Sequence, residues 1–386
     1  MNGTIGFQGE RLREAREARG LTAAQFAEDM DLTKQMVSFY ERGKNTPAPE
    51  TFRAICELLR FPEQFFLRPP TVPPTAAVFY RSLKSATKRM RERAERMYGW
   101  FRQLTTLVSR FVELPALNLP GLSLPSDPGQ ITNEMVDEAA TRVRRHWGLG
   151  DGVISNVVLL LENHGIIATR YMFGAEKLDA FSNWDETSGR PYVVLGADKA
   201  SQVRSRFDAA HELAHVIFHR AVPKDLLRLK SAFNRIEEQA HRFARAFLLP
   251  VATFGDEYVS PSIDALLELK QKWRVSLGVL IARSAELGML TESQTRRMWI
   301  TLNQRGWRKR EPFDDDWKPE SPVLVRRSVE LLADSKVLSS TALSKALALR
   351  LEDIEAIVGM AVGTLRDDSA EPIGEPQPHL LLPKDG

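Results

Sequence analysis

The run HELAH at 211–215 lies in the segment VRSRFDAAHELAHVIFHR, whose apolar residues recur at helical spacing. Two histidines four positions apart on a helix share one face, about 6 Å apart along the axis, so both imidazoles can reach one tetrahedral zinc ion. The glutamate after the first histidine projects beside the metal, where its carboxylate can take a proton from water and deliver it to a leaving amine. His211, Glu212 and His215 therefore predict the core of a zinc metallopeptidase site, on a helix embedded in a hydrophobic core.

A third ligand has to come from elsewhere. His219 continues the spacing, but it lies about 12 Å along the helix from the first histidine, too far to share a metal bound at about 2 Å. We expect it to support a ligand or to pack. The helical segment RIEEQAHRFARAFLLP offers Glu237, Glu238 and His241, all chemically able. Glu237 and His241 share a face, so one can bind zinc while the other supports a ligand.

These segments together resemble the ImmA/IrrE family of zinc metallopeptidases, whose pattern is HExxH, a following His, then ExxA(N/D)xFAxxLLxP. The resemblance covers about 140–300, where DAFSNW and RPYVVLG are similar to the family's strands. It implies Glu212 as catalytic base and one Zn²⁺ per chain, bound by His211, His215 and Glu237. One departure concerns His241, which stands where the family has Asn or Asp and which the resemblance places near the first zinc histidine.

The substrate side is less defined by the sequence. An extended peptide could pair with an edge strand, and RPYVVLG (190–196) is the strand we expect in that position. A donor for the transition-state oxyanion is also expected, but Tyr192, Arg206 and His219 cannot be ranked from the sequence.

Near the N-terminus, residues 10–68 form short helical patterns separated by turn signals. Thr22 and Gln25 predict a capping box at the second helix, and Thr33 can cap the third after a tight turn at Asp31 and Leu32. Gly20 and Gly43 are typical helix ends. The second and third helices have helix-turn-helix dimensions, with core positions at Phe26, Ala27, Leu32, Val37 and Tyr40.

The outward face of the third helix would then enter the DNA major groove through Thr33, Lys34, Gln35 and Ser38. Gln35 can make a bidentate contact to adenine. The run ERGKNTP resembles the XRE/Cro repressor family, and by that likeness Gln25 and Lys44 would meet phosphates, although Gln25 is also needed in the capping box. The alternative is a helical protein-interaction domain. The resemblance favours a homodimer on a palindromic operator in double-stranded DNA.

The length of 386 residues predicts several domains. We expect a mainly α fold with a small β-sheet (α+β), a zincin-like centre and this order: helix-turn-helix domain 8–68, Pro-rich linker and basic helix 69–128, metallopeptidase domain 129–300, connector and helical C-terminal unit 301–370, flexible tail 371–386. The basic helix, from about Ser82 to Glu113, is either a solvated face or a phosphate-contacting extension of the first domain. Its cations are Arg81, Lys84, Lys88, Arg89, Arg91, Arg93, Arg96, Arg102 and Arg110.

The cysteine count and the distribution of apolar residues bear on where in the cell the protein is located. Cys56 is the single cysteine, which excludes an internal disulfide and a Cys-rich zinc module. The first residues lack an apolar signal core, and no stretch approaches the roughly 18–20 apolar residues of a membrane span. We therefore expect a cytoplasmic protein without a membrane partner. The net charge of +3 is too small to predict a nucleic-acid partner by itself.

Two hypotheses for function follow. In the first, the chain is a transcriptional regulator with a built-in zinc endopeptidase that cleaves itself or a repressor, and thereby controls a stress, phage or mobile-element operon; the substrate could also be a toxin from the same operon. In the second, it is an antitoxin-like or ligand-sensing repressor whose peptidase fold binds a partner without cleaving it. The intact Glu212 favours the first, because a structural zinc site needs no general base. In a third arrangement, the N-terminal domain would only recruit substrates.

Overall fold

The computed structural model describes residues 3–70, 87–174, 179–198, 201–220, 222–366 and 380–381, without the side chains of Lys224, Arg228, Leu380 and Leu381. Within these residues the protein is mainly helical with one small three-stranded sheet, which confirms the expected α+β class. The proline-rich stretch from residue 71 onward, the basic residues Arg81 and Lys84, and nearly all of the expected tail lie outside the described residues. The domain boundaries given above stay predictions.

The N-terminal helices form where the local signals place them. Thr22 and Gln25 make the expected capping box at the second helix, and the hydroxyl of Thr33 accepts a hydrogen bond from the Met36 N–H at the start of the third. Asp31 takes a left-handed conformation in the turn between them, at φ 51°. The helices are α1 Gly9–Ala18, α2 Ala23–Asp29, α3 Lys34–Glu41, α4 Pro49–Leu59 and α5 Glu63–Leu67.

Helix α6, Lys88–Val108, packs between these helices and the sheet. Its aromatic face is buried, and two of its side chains make buried polar contacts in opposite directions. Trp100 Nε1 donates to Glu14 Oε1 of α1 at 2.6 Å, and the Tyr98 hydroxyl donates to Asn183 Oδ1 of the sheet at 3.1 Å. The helix thereby connects the N-terminal unit to the sheet.

Several cations of α6 are used inside the protein. Arg96 pairs with Glu17 of α1 at 2.8 Å, and Arg102 pairs with Asp185 of the sheet at 2.8 Å. Arg93 donates to the Phe173 carbonyl at 3.0 Å. Each of these three arginines makes an intramolecular contact. They therefore form neither a purely solvated helix face nor a face reserved for phosphate contacts, which were the two predicted alternatives.

The sheet consists of β2 Ile167–Tyr171, β3 Ala180–Asp185 and β4 Arg190–Gly196; the short strands β1 Val112–Glu113 and β5 Leu380–Leu381 pair separately. The strand order in the sheet is β2-β4-β3, with β4 parallel to β2 and antiparallel to β3. RPYVVLG is therefore the central strand, and its expected position at the edge is wrong. Both of its sides already carry partners, whereas β3 is an edge strand within the described part of the sheet.

The helices between residues 133 and 304 lie on one side of this sheet, and two of them carry the predicted metal ligands. They are α7 Asn133–His146, α8 Val157–Asn163, α9 Gln202–Phe218, α10 Lys224–Arg228, α11 Lys230–Leu248, α12 Val251–Glu257, α13 Ile263–Trp273, α14 Leu277–Glu286 and α15 Glu292–Gln304. Helix α9 lies on β3 and β4, and α11 packs against α9 and α7. Leu213 and Ala214 of α9 are fully buried in the core they share with Val193 of β4.

The C-terminal helices return to the other side of the sheet. They are α16 Leu324–Asp334, α17 Ser340–Leu347 and α18 Leu351–Val358, and they share a hydrophobic cluster with the N-terminal helices and α6. Arg19, which follows the last residue of α1, forms a bidentate pair with Asp353 of α18. No helix in the described part of the chain is long and apolar enough to cross a membrane.

Candidate metal centre and DNA-binding face

The HELAH run lies in the second half of α9 and is buried. His211, Glu212 and His215 are 6%, 4% and 1% exposed. Helical spacing brings the two imidazoles together, with 3.0 Å between His211 Nε2 and His215 Nε2. One metal ion could therefore bind both nitrogens from the same side of the helix.

Glu237 on α11 completes the group. Its carboxylate oxygens lie 3.5 Å from His211 Nε2 and 3.6 Å from His215 Nε2. A tetrahedral ion with ligands at 2.0–2.1 Å requires ligand atoms about 3.3 Å apart. The two imidazole nitrogens are 3.0 Å apart, His211 Nε2 lies 3.5 Å from Oε2 of Glu237, and His215 Nε2 lies 3.6 Å from Oε1 of the same carboxylate. These separations are close to that value, so two imidazoles and a carboxylate could bind one ion.

The two other candidates for the third ligand do not belong to this group of donor atoms. Glu238 is exposed and pairs with Arg245 at 3.0 Å. His241 lies beside the centre, with its ring centroid 4.8 Å from that of His211, as the family resemblance implied. It does not belong to the group of donor atoms within 4.8 Å of one another, which consists of His211, His215 and Glu237 among the described residues.

The expected base is held by a residue that sequence reasoning missed. Ser182 of β3 donates its hydroxyl proton to Glu212 Oε2 at 2.6 Å, and both side chains are buried. The alternation of side chains along β3 indicates which of its residues face α9. Ala180 belongs to the hydrophobic cluster on the side of α9, whereas Phe181 belongs to the cluster on the other side of the sheet. Ser182 shares a face with Ala180, so a polar residue in that phase points toward the metal helix.

The three candidates for an oxyanion donor all have structural contacts. Arg206 forms a buried ion pair with Glu320 and donates to the Ile154 carbonyl. Tyr192 is 1% exposed and packs edge-on against Tyr98 and Phe101, and burial raises the pKa of its hydroxyl. These contacts argue against either side chain facing a substrate.

His219 is fully buried next to the second metal-site histidine. Its Nδ1 lies 2.9 Å from Nδ1 of His215. Burial lowers the pKa of His219 to about 3, so its imidazole is neutral at physiological pH. It therefore contacts a metal-site residue without entering the donor group.

A cavity of about 410 Å³ is lined by Phe207 and His241, two neighbours of His211, but not by the predicted metal ligands themselves. The ring centroid of Phe207 lies 6.4 Å from that of His211. The lining also includes Val279, Ala282, Trp299, Leu302, Arg308 and Lys309. Its walls are thus partly apolar and partly charged, and a peptide side chain near the metal could enter it.

In the helix-turn-helix unit, one side of α3 is attached to α1 and the other side is exposed to solvent. Arg16 Nε donates to Glu41 Oε1 of α3 at 2.6 Å, and Arg13 contacts the same carboxylate at 3.4 Å. These buried or half-buried contacts attach α3 to α1. The predicted DNA contacts lie on the other side: Gln25, Thr33, Lys34, Gln35 and Lys44 are exposed and Ser38 is half-buried.

Two of these side chains already have local hydrogen bonds. The Gln25 amide oxygen accepts from the Thr22 N–H at 3.0 Å, and the Thr33 hydroxyl accepts from the Met36 N–H at 3.1 Å. Contacts to DNA would have to coexist with these caps. Lys34 and Gln35 occupy the first turn of α3, where a recognition helix meets base edges.

Two family models match separate parts of the chain, one containing the metal centre and the other the helix-turn-helix unit. The Peptidase_M78 family model, described as an IrrE N-terminal-like domain, matches residues 161–284, and the HTH_3 model, described as helix-turn-helix, matches residues 12–66. No significant match is found among curated proteins. The fold and these matches define a DNA-binding regulator with a protease-like domain. More particularly, the chain is a fusion of an XRE-type helix-turn-helix domain with an ImmA/IrrE-like peptidase domain, as both resemblances implied.

Proposed function

We propose that this protein is a transcriptional regulator whose zinc-dependent endopeptidase domain cleaves a repressor, a toxin or the chain itself. One observation carries the proposal: His211, His215 and Glu237 bring their donor atoms within 4.8 Å of one another, beside a glutamate that a purely structural zinc site would not need. The expected setting is a stress, phage or mobile-element operon.

The roles of the residues follow from their chemistry. Neutral imidazoles of His211 and His215 and the carboxylate of Glu237 would hold one zinc ion. When bound, the ion supplies Lewis-acid polarisation of the scissile carbonyl and of the attacking water. Glu212 would accept a proton from the attacking water and pass it to the leaving amine. Ser182 fixes the Glu212 carboxylate by donating to one of its oxygens.

The peptide substrate would lie along β3. This strand forms an edge of the described sheet and carries Ser182 on the face toward α9, so backbone pairing there would bring a peptide close to the catalytic carboxylate. The cavity next to His241 and Phe207 would accept a side chain near the scissile bond.

DNA binding would use the exposed front of α3. Gln35 is the proposed reader of a base edge and Lys34 lies beside it in the major groove, while Lys44 adds a phosphate contact. Gln25, Thr33 and Ser38 would contribute hydrogen bonds beside them. A homodimer on a palindromic operator would place two copies of α3 in successive major grooves.

The decisive test compares wild type with Glu212→Gln. Each is co-expressed with candidate proteins from the same operon, and fragments are identified by intact mass. We expect fragments with the wild type only, while both proteins retain zinc, because the substitution removes the base and not a ligand. Equal fragment yields from the two would refute the proposed chemistry.

The second hypothesis is a sensor that binds a partner without cleaving it, and the observation that favours it concerns His241. This residue stands 4.8 Å from His211 where the family pattern has Asn or Asp. A protein that binds zinc and operator DNA but yields no fragments from any candidate, even after His241→Asn, would support the sensor instead. Cleavage that appears only after His241→Asn would identify the departure as the cause of lost activity.

A further inference from the structure

A line of buried polar side chains runs from the metal centre to the segment before α7. His215 Nδ1 contacts His219 Nδ1 at 2.9 Å, and His219 Nε2 contacts Gln239 Oε1 at 3.1 Å. Gln239 Nε2 then donates to the carbonyls of Pro128 and Ile131, at 2.8 and 3.1 Å. His215, His219 and Gln239 are 1%, 0% and 5% exposed. We call these three residues the amide–histidine chain.

The direction of the hydrogen bonds along the amide–histidine chain is set at Gln239, the residue farthest from the metal centre. Backbone carbonyl oxygens accept hydrogen bonds and cannot donate, so two of them beside one amide group require the NH₂ of Gln239 to face them. The amide oxygen of Gln239 must then face His219. An oxygen in that position accepts, and His219 therefore carries its proton on Nε2.

The same logic passes to the metal-site histidine. A neutral His219 protonated on Nε2 presents the lone pair of Nδ1 to His215. The 2.9 Å contact between the two Nδ1 atoms is a hydrogen bond only if His215 donates, so His215 carries its proton on Nδ1. Its Nε2 then has a lone pair on the side of His211 and Glu237, which is the tautomer that a metal ion requires.

We propose that Gln239 is a positioning residue that fixes the metal-binding tautomer of His215 through His219. Gln239 occupies an unspecified position of the ExxA pattern, and the segment at 128–131 lies outside the pattern. The proposal rests on the zinc site of the proposed function, but it does not require that the site cleave a peptide. A histidine ligand commonly donates its other ring N–H to an acceptor, and loss of such a partner lowers metal affinity by about 10- to 100-fold.

The first measurement needs no substitution. The chain has seven histidines, so the long-range ¹H–¹⁵N spectrum of ring-labelled, metal-free protein is simple enough to assign. We expect Nε2–H for His219 and Nδ1–H for His215. The opposite tautomer at either residue overturns the proposal, whatever the protein cleaves.

The second measurement is zinc affinity, by competition with a chromophoric chelator. Gln239→Leu removes the amide at similar size, and we expect affinity to fall by about 10- to 100-fold with a mixture of His219 tautomers. Asn118→Leu is the matched control, because Asn118 joins His146 and His164 by its own amide and should leave zinc affinity unchanged.

A double substitution separates positioning from general packing. In His219→Asn, an amide can still accept from His215, but Gln239 no longer acts through an imidazole. Adding Gln239→Leu to that background should change zinc affinity by less than about 2-fold, against 10- to 100-fold in the wild-type background. Equal losses in both backgrounds would mean that Gln239 acts on the fold alone, and would refute the proposal.

Discussion

The metal centre and the DNA-reading face of α3 place their functional side chains in opposite surroundings. At the metal centre His211, Glu212 and His215 are nearly inaccessible, and Ser182 and His219 hold two of them in place. On α3, Lys34 and Gln35 extend into solvent, and only the rear of the helix is attached through Glu41. Chemistry at a metal needs donors fixed before the ligand arrives, whereas base contacts can form as the DNA docks.

The largest expected effect is a loss of zinc affinity at the metal centre that leaves DNA binding by α3 unchanged. Glu237→Ala removes one of three donors, so zinc affinity should fall by more than the roughly 100-fold that loss of an outer partner can cost. Operator affinity should not change. Equilibrium dialysis with zinc and fluorescence anisotropy with DNA measure the two quantities on one preparation.

Glu238→Ala is its matched control, because Glu238 is the next residue, is exposed and pairs with Arg245. Zinc affinity should stay as in wild type. A loss of zinc in Glu238→Ala, or normal zinc binding in Glu237→Ala, would contradict the ligand assignment.

The next effect is on DNA binding. Gln35→Ala should weaken operator binding by about 5- to 150-fold, the equivalent of about 1–3 kcal/mol for a bidentate base contact. Lys44→Ala removes a predicted phosphate contact and should therefore weaken all sequences alike and reduce the salt dependence by about one ion. Titrations at several salt concentrations, on operator and on random DNA, distinguish the two residues.

Gln64→Ala serves as control for Gln35→Ala, since Gln64 is an exposed glutamine on α5, outside α2 and α3. Unchanged operator affinity after both Gln35→Ala and Lys34→Ala would argue against α3 as the reader and favour a protein-interaction role. Zinc content is expected to be the same in all of these variants.

A smaller effect should appear within the metal centre itself. Ser182→Ala leaves the three donors intact but removes the hydrogen bond that orients Glu212. We expect kcat to fall by about 10-fold, well below the roughly 100- to 10,000-fold that general acid–base catalysis contributes. Zinc affinity should not change, and KM should change little.

Ser182→Thr keeps the hydroxyl and should recover most of the activity if its extra methyl group fits beside β4. Loss of zinc from Ser182→Ala, or full activity without the hydroxyl, would show that the serine does not act by orienting Glu212. Steady-state kinetics on a cleavable peptide, with zinc content measured on the same sample, decides between these outcomes.

The contrast between the two regions also explains what the sequence could predict. HELAH has a fixed spacing because one helix must bring two imidazoles to one ion, and that spacing is visible in the sequence. The helix caps at Thr22 and Thr33 are equally local and were predictable. Ser182 and Gln239 act on residues 30 and 20 positions away, so their contacts depend on how β3 and α11 pack against α9.

Strand order was harder still. Residues 191–195 of RPYVVLG are apolar and buried because the strand lies between two others and helices pack on the sheet, yet such a run does not say which strands are its neighbours. The uses of Arg93, Arg96 and Arg102 were likewise hidden, since a basic helical pattern does not reveal internal partners such as Glu17 and Asp185.

The smallest expected effect concerns the support of the DNA-binding unit. Glu162 is 1% exposed, and its carboxylate accepts from the Val323 N–H at 2.9 Å and the Leu324 N–H at 3.0 Å, at the start of α16. Burial raises the pKa of Glu162 to about 7, against an ordinary value of 4.5, despite these hydrogen bonds. Helix α16 belongs to the hydrophobic cluster that supports the N-terminal helices.

A raised pKa means that the folded protein holds this proton more tightly than the unfolded chain does. The corresponding stability is therefore present in full below about pH 4.5 and is lost as the pH rises through about 7, by at most about 1.4 kcal/mol per pH unit. Glu162→Gln should flatten this part of the stability profile, measured by denaturant unfolding between pH 5 and 8, whereas the exposed Glu138→Gln should not. An unchanged slope in Glu162→Gln would exclude Glu162 as its source, and any effect on operator affinity would show that α16 supports the reading helix.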